Sequence, residues 1–245
     1  MQVIGVIPAR WGSTRFEGKV LAEIKGEPMI QHVWRRAKSS KALEEVFIAC
    51  DDERVFDKAQ SFGAKAIMTS PDHKSGTERI AKAFRYSPAD IIINIQGDEP
   101  LIEPAVIDAL AKAISKDSNC PMATVIKALN KEEELNNPNI VKVVVDSSKY
   151  ALYFSRSAIP FSREKAAFGD ITYYKHIGLY AYRTKFLIKF PDLAASSLEQ
   201  VEKLEQLRAL EAGYRIKTVV TEYESVGVDT PEDIETIERL MESEK

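Results

Sequence analysis

The chain is poor in the residues that announce several common chemistries. Cysteine occurs only at Cys50 and Cys120, too few for a disulfide framework. Cys50 ends an apolar run and Cys120 precedes Pro121, so both read as reduced structural thiols. The histidines, His32, His73 and His176, stand far apart and give no zinc-like spacing. No apolar run approaches the ~20 residues needed to span a bilayer. The opening Met1-Gln-Val-Ile-Gly-Val-Ile-Pro8 has neither the basic start nor the long apolar stretch of a signal peptide. A net charge of −3 leaves no global basic field for nucleic acid or an anionic membrane. Any polyanionic ligand must be gripped by a local cluster of Arg and Lys. The expectation is a cytoplasmic protein with neither a nucleic-acid nor a membrane partner.

Linkers rich in proline, glycine or serine are missing too, as are internal repeats and low-complexity stretches. The 245 residues, 44% apolar and 29% charged, therefore read as a single α/β domain with a substantial core. Short, continuously apolar runs mark strands covered on both faces: Val3 to Ile7, Val46 to Cys50, Ala64 to Met68 and Ile91 to Ile95. Helical patterns lie at about 28–39, 52–62, 75–86 and 104–116. This alternation predicts a mostly parallel, Rossmann-like sheet flanked by helices. Ser75-Gly-Thr-Glu78 reads as a capping box. Thr230 places a capping hydroxyl before Pro231 at a helix start. Ser197 with Gln200 predicts a helix running through Leu210, stopped at Gly213. From about residue 122 to 183 strand-like runs dominate: Met122–Lys127, Ile140–Asp146, Tyr150–Phe154 and Thr172–Arg183. This section is expected to be more antiparallel and partly an appendage to the main sheet.

Three segments carry chemistry. The first, Pro8-Ala-Arg10-Trp-Gly-Ser13-Thr-Arg15-Phe-Glu-Gly18-Lys19, directly follows the first strand, where open α/β sheets bind ligands. Arg10, Arg15 and Lys19 crowd their charge into one short loop, and Gly12 and Gly18 let its backbone bend close to a ligand. Such a loop can wrap a triphosphate, or simply be a solvated basic loop. It is neither a Walker A loop nor a Gly-x-Gly-x-x-Gly fingerprint. The second, Asn94-Ile-Gln96-Gly-Asp98-Glu-Pro100, ends a strand with carboxylates at its tip. Asp98 suits magnesium, which favours a few carboxylates plus substrate phosphates; the alternative is an ordinary Gly-Asp turn. The third, Gly227-Val-Asp229-Thr-Pro-Glu-Asp233, puts Asp229 just before a helix, as a cap neighbour or as a second metal ligand.

Together these segments resemble the 3-deoxy-manno-octulosonate cytidylyltransferases, the CMP-Kdo synthetases, over nearly the full chain. The resemblance rests on the opening loop and on Ser75-Gly-Thr-Glu-Arg79, Gln96-Gly-Asp-Glu-Pro100, Asn139-Ile-Val-Lys142 and Ala151-Leu-Tyr-Phe-Ser-Arg156 with Ile159-Pro160. It continues through His176-Ile-Gly-Leu-Tyr180, Leu204-Glu-Gln-Leu-Arg208 and Gly227-Val-Asp-Thr-Pro-Glu-Asp233. One departure is visible. Phe16-Glu17-Gly18-Lys19-Val20-Leu21 stands where the family has Leu-Pro-Gly-Lys-Pro-Leu, and the loss of both prolines predicts a more mobile loop.

The resemblance implies a GT-A-like nucleotidyltransferase fold with a strand-rich dimerisation section, a homodimer, and CTP and Kdo as substrates. It implies that Arg10, Ser13, Arg15 and Lys19 hold the CTP phosphates, with Arg15, Lys19 and Asp98 catalytic, and that Arg79 and Gln96 help bind the nucleotide. It implies that Gln96, Arg163, His176, Glu205 and Gln206 hold the sugar acid. Asp98 and Asp229 would hold one or two Mg²⁺ ions. Bare residue reading leaves alternatives for several of these: Glu205 and Gln206 as a solvent-facing helix surface, Arg163 as a loop charge, His176 as a satisfied core histidine. The implied reaction is attack by the anomeric 2-hydroxyl of Kdo on the α-phosphorus of CTP, with release of pyrophosphate. Two other readings share parts of this pattern: a CMP-sialic acid synthetase, and a non-catalytic nucleotide-sugar binding module.

Overall fold

The computed structural model describes residues 1–12, 16–164 and 167–243. In chain order the elements begin with β1 (Val3–Ala9), the hairpin of β2 (Glu23–Ile24) and β3 (Glu27–Pro28), and α1 (Met29–Lys38). Then come β4 (Glu45–Cys50), α2 (Glu53–Ser61), β5 (Lys65–Met68), α3 (Gly76–Ala83), β6 (Ile91–Asn94) and α4 (Pro104–Lys116). The middle of the chain forms β7 (Met122–Ala128), α5 (Glu132–Asn136), β8 (Lys142–Val145), β9 (Ala151–Ser155) and β10 (Tyr174–Arg183). The chain closes with α6 (Thr184–Lys189), α7 (Ser197–Glu202), α8 (Leu207–Glu211), β11 (Ile216–Val220) and α9 (Pro231–Ser243).

The main sheet runs in the order β11-β7-β10-β6-β1-β4-β5. Its neighbours pair in parallel except at β10, which is antiparallel to both β6 and β7. Alternating side chains explain the two-sided burial of its centre. Ile7, Ile91 and Ile93 join one core with Val33, Val55 and Leu110, beneath α1, α2 and α4. Ile4, Val6 and Ile92 join the opposite core with Ile80, Phe186 and Leu207, beneath α3, α6 and α8. A smaller cluster of Ile24, Met29, Leu101, Val228 and Ile237 seats α9 and the segment before it against the loop after β6.

The parallel βα alternation, the element order and the paired Ser75–Glu78 signal match the sequence reading. Ser75 Oγ accepts the Glu78 amide at 3.2 Å, while the Glu78 carboxylate takes the Lys74 amide at 3.0 Å. The strand-rich section is partly an appendage, as expected: β7 and β10 are members of the central sheet, while β8 and β9 stand off it as a hairpin, joined through β10. Two local expectations are corrected. The helix expected from Ser197 through Leu210 is broken. Ser196 caps it, accepting the Glu199 amide at 3.1 Å, and Lys203 adopts a left-handed φ of 56° that turns the chain so Leu204 enters the core. Glu205 and Gln206 therefore sit in a turn between α7 and α8, not on an exposed helix face. Finally, the tie at the start of α9 runs in the reverse direction. The Asp233 carboxylate accepts the Asp229 and Thr230 amides at 2.8 Å each, and the Thr230 hydroxyl donates to it as well.

Candidate active site

The polar cleft forms where the strand order reverses. Successive parallel strands move from β1 outward to β4 and β5, and then the chain returns to the other side of β1 as β6. Loops leaving the carboxyl ends of β1 and β6 thus part around a crevice, the usual ligand position in open α/β sheets. A cavity of about 300 Å³ lies there, lined among others by Arg10, Lys19, Lys74, Ser75, Gln96 and Asp98. The loops approach closely because Gly97 lacks a side chain: a Cβ there would stand 3.0 Å from the Pro8 carbonyl oxygen.

The opening loop is held from both ends. Asp51, after β4, accepts the Trp11 amide at 2.8 Å. Gly18 has φ 67°, and a Cβ there would fall 2.7 Å from the Trp11 ring, so the loop closes on the indole only because residue 18 is glycine. Glu17, standing where the family pattern has proline, accepts the Trp11 indole N–H at 2.9 Å, and Arg54 stacks on the same ring at 3.6 Å. The described part of the loop is thus anchored by side-chain contacts in place of the missing prolines. Ser13 and Arg15 lie outside the described residues.

Lys19 is the centre of the cleft's electrostatics. Its ammonium lies 2.8 Å from Asp98 Oδ2, 3.3 Å from Asp229 Oδ1 and 2.8 Å from the Val228 carbonyl oxygen. The two carboxylate oxygens are therefore no farther apart than the two distances laid end to end. Asp229 reaches this point because the Val228 side chain is fully buried beneath α9 and its amide donates to the Asp98 carbonyl at 2.9 Å. Behind Asp98, Glu99 is buried against Tyr223, whose hydroxyl donates to it at 3.2 Å, and burial pushes the Glu99 carboxyl up to about 7. These contacts pin the C-terminal segment to the loop after β6.

Among the described residues no group of three or more His, Cys, Asp and Glu side chains forms a metal cage. The set present is Asp98 and Asp229 converging on one cation, here the Lys19 ammonium. Two hard carboxylate oxygens, short of a full coordination sphere, fit Mg²⁺ that is completed by substrate phosphates.

The other sequence-predicted residues are distributed unevenly. Arg10 is exposed on the cleft wall. Arg79 lines the cleft but is buried, its guanidinium ion-paired with Asp51 at 2.7 Å and bonded to the Thr69 hydroxyl. It orders the wall and holds Asp51 against the Trp11 amide, so its charge is already committed within the protein. Gln96 donates to the Gly178 carbonyl at 2.8 Å, coupling β6 to the irregular stretch of β10. His176 opens on a different depression, shared with Lys175 and Glu224. Its Nε2 lies 3.0 Å from Thr124 Oγ1, whose single proton is directed at the Leu179 or Ile177 carbonyl. The ring must therefore donate from Nε2. Burial pushes its pKa down to about 3, leaving it neutral. Glu205 lines a larger cavity of about 680 Å³ that shares Lys74 and Ser75 with the first. Gln206 is buried beside it, and its Nε2 has no hydrogen-bond partner among the described residues. Arg163 is exposed in a turn and is absent from the lining of both cavities.

Sequence reading missed His73 and Lys74, which join the cleft at the start of α3. The signal was present in the capping box itself, because a helix that starts at a strand's carboxyl end points its first turn at the crevice.

The Cytidylyltransferase family model matches residues 4–219. The chain is 52% identical to the 3-deoxy-manno-octulosonate cytidylyltransferase of Thermodesulfovibrio yellowstonii, over 98% of each chain. It is 51% identical to that of Solibacter usitatus, over 99% of this chain and 95% of the relative. Its fold superposes with a TM-score of 0.94 on a solved CMP:2-keto-3-deoxy-manno-octonic acid synthetase complexed with CTP, which is 45% identical and covered in full, as is this chain.

Proposed function

From the premise that this chain belongs to the 3-deoxy-manno-octulosonate cytidylyltransferase family, we propose that it transfers CMP from CTP to Kdo, releasing pyrophosphate, and so supplies CMP-Kdo for lipopolysaccharide assembly. The observation that carries this reading is the meeting of Asp98, Asp229 and Lys19 from distant parts of the chain beside a cationic loop. A binding module would have no use for two carboxylates placed against a triphosphate site. Mg²⁺ bound there would neutralise charge on the leaving pyrophosphate and lower the pKa of the attacking sugar hydroxyl.

Asp98 and Asp229 would hold that ion. Arg10 and Lys19 grip the phosphates, and the first turn of α3 adds Lys74 and backbone amides to the same wall. Lys19 draws charge from the departing phosphates, so positioning and electrostatics do most of the work. Arg79 holds the cleft in shape through Asp51. Gln96, Glu205 and Gln206 offer donors and acceptors to the hydroxyls of the sugar acid, while His176, being neutral, contributes hydrogen bonding and not charge. Arg163 is assigned to the sugar carboxylate, which requires the turn carrying it to approach the cleft.

The active species is proposed to be a cytoplasmic homodimer of single-domain subunits. The exposed apolar side chains of Leu152 and Phe161, 61% and 87% accessible, support a contact in the 122–183 section. No helix among the described residues is long and apolar enough to cross a membrane. The test is pyrophosphate release from CTP and Mg²⁺ with each of three acceptors. Kdo should be turned over far faster than a sialic acid or a neutral sugar 1-phosphate. Equal or better turnover with either competitor would overturn the assignment.

A further inference from the structure

We propose that Thr77 is a positioning residue for the acceptor sugar, a buried hydroxyl that holds the Glu205 carboxylate in one orientation on the cavity wall. The inference rests on the reading that Glu205 binds the sugar. Thr77, on α3, is 4% exposed, and its Oγ1 donates to Glu205 Oε2 at 2.5 Å.

A threonine hydroxyl has one proton, and here it goes to Glu205 Oε2. In surroundings of low polarity such a bond fixes the carboxylate more firmly than it would in water.

The placement argues for function. Thr77 directly follows Ser75 and Gly76 on the wall of the nucleotide cleft, whereas Glu205 lines the adjoining larger cavity. Gln206 Nε2, next in sequence, is buried without a hydrogen-bond partner among the described residues. A fixed acceptor beside a waiting donor suits a polyhydroxylated ligand, and buried amides are rarely left unpaired without a purpose. The Thr77 hydroxyl thus links the nucleotide wall to the sugar side.

The experiment measures KM for Kdo and for CTP separately, with melting temperatures, in Thr77→Val, Thr77→Ala, Thr77→Ser and Glu205→Ala. Thr77→Val should raise the Kdo KM about tenfold and leave the CTP KM within about twofold, the scale of one charge-assisted hydrogen bond. Serine should restore the value, because it keeps the hydroxyl. Thr77→Ala should act in the same direction as valine. The double variant Thr77→Val with Glu205→Ala should be no worse than Glu205→Ala alone. A wild-type Kdo KM in Thr77→Val, an equal rise in both KM values, or no rescue by serine would overturn the proposal. If Thr77→Val fails to fold, Thr77→Ala decides: an unchanged Kdo KM there overturns the proposal. If Glu205→Ala leaves the Kdo KM unchanged, the underlying sugar assignment fails. If it raises that KM while Thr77→Val does not, only the role of Thr77 fails.

Discussion

Lys19 bridges Asp98 and Asp229 from a cleft position in which all three side chains keep some solvent contact, at 14%, 33% and 51% exposure. Ion pairs of that exposure contribute little to folding, so Lys19→Ala should cost less than about 1 kcal/mol of stability. A charge lost from the transition state acts differently and should lower kcat by about 10²–10³. Turnover near normal, or inactivity explained by unfolding, would return the loop to a solvated basic segment. His176 gives a second test at this scale. Its folded-state pKa is about 3, well below its ordinary value of 6.5. Between those values the unfolded chain binds the proton and the folded protein does not, so stability falls as pH drops through that window. The full contribution is about 1.4 kcal/mol per pH unit. His176→Gln should therefore show a shallower loss of stability on acidification, measured by urea unfolding. Identical slopes would mean that the folded protein protonates His176 normally.

At the scale of elements, α9 has one task visible in its packing. Its buried residue, Ile237, meets Ile24, Met29, Leu101 and Val228, and Val228 precedes Asp229. Ile237→Ala should cost about 2–4 kcal/mol if the site does not collapse, seen as faster amide exchange in α9. It should also raise the Mg²⁺ concentration needed for half-maximal activity, because Asp229 loses its support. Faster exchange with an unchanged Mg²⁺ requirement would separate α9 from the site. The strands β1, β4 and β6 were legible because both of their faces are apolar. The break after α7 was not, because the left-handed residue there is Lys203 and carries no glycine signal. Nor was the insertion of β10 between β6 and β7 legible, since that pairing depends on contacts far apart in sequence. The same holds for Arg79. Its charge could be read from sequence, but its partner Asp51 becomes visible only when β4 and α3 pack.

Across the whole molecule, a chain of net charge −3 accommodates a triphosphate by gathering cations at one sheet edge. It also brings two acids to that edge, which would repel both the nucleotide and each other without a cation among them. The proposed mechanism therefore makes Asp98 and Asp229 one unit. Its most direct test is the rate of CMP-Kdo formation across a Mg²⁺ titration in Asp98→Asn, Asp229→Asn and the double variant. Each single variant should fold normally, lose most activity and respond weakly to added Mg²⁺, and the double variant should be little worse than the poorer single one. Losses that multiply in the double variant, or a single variant with near-normal turnover, would contradict a shared metal site.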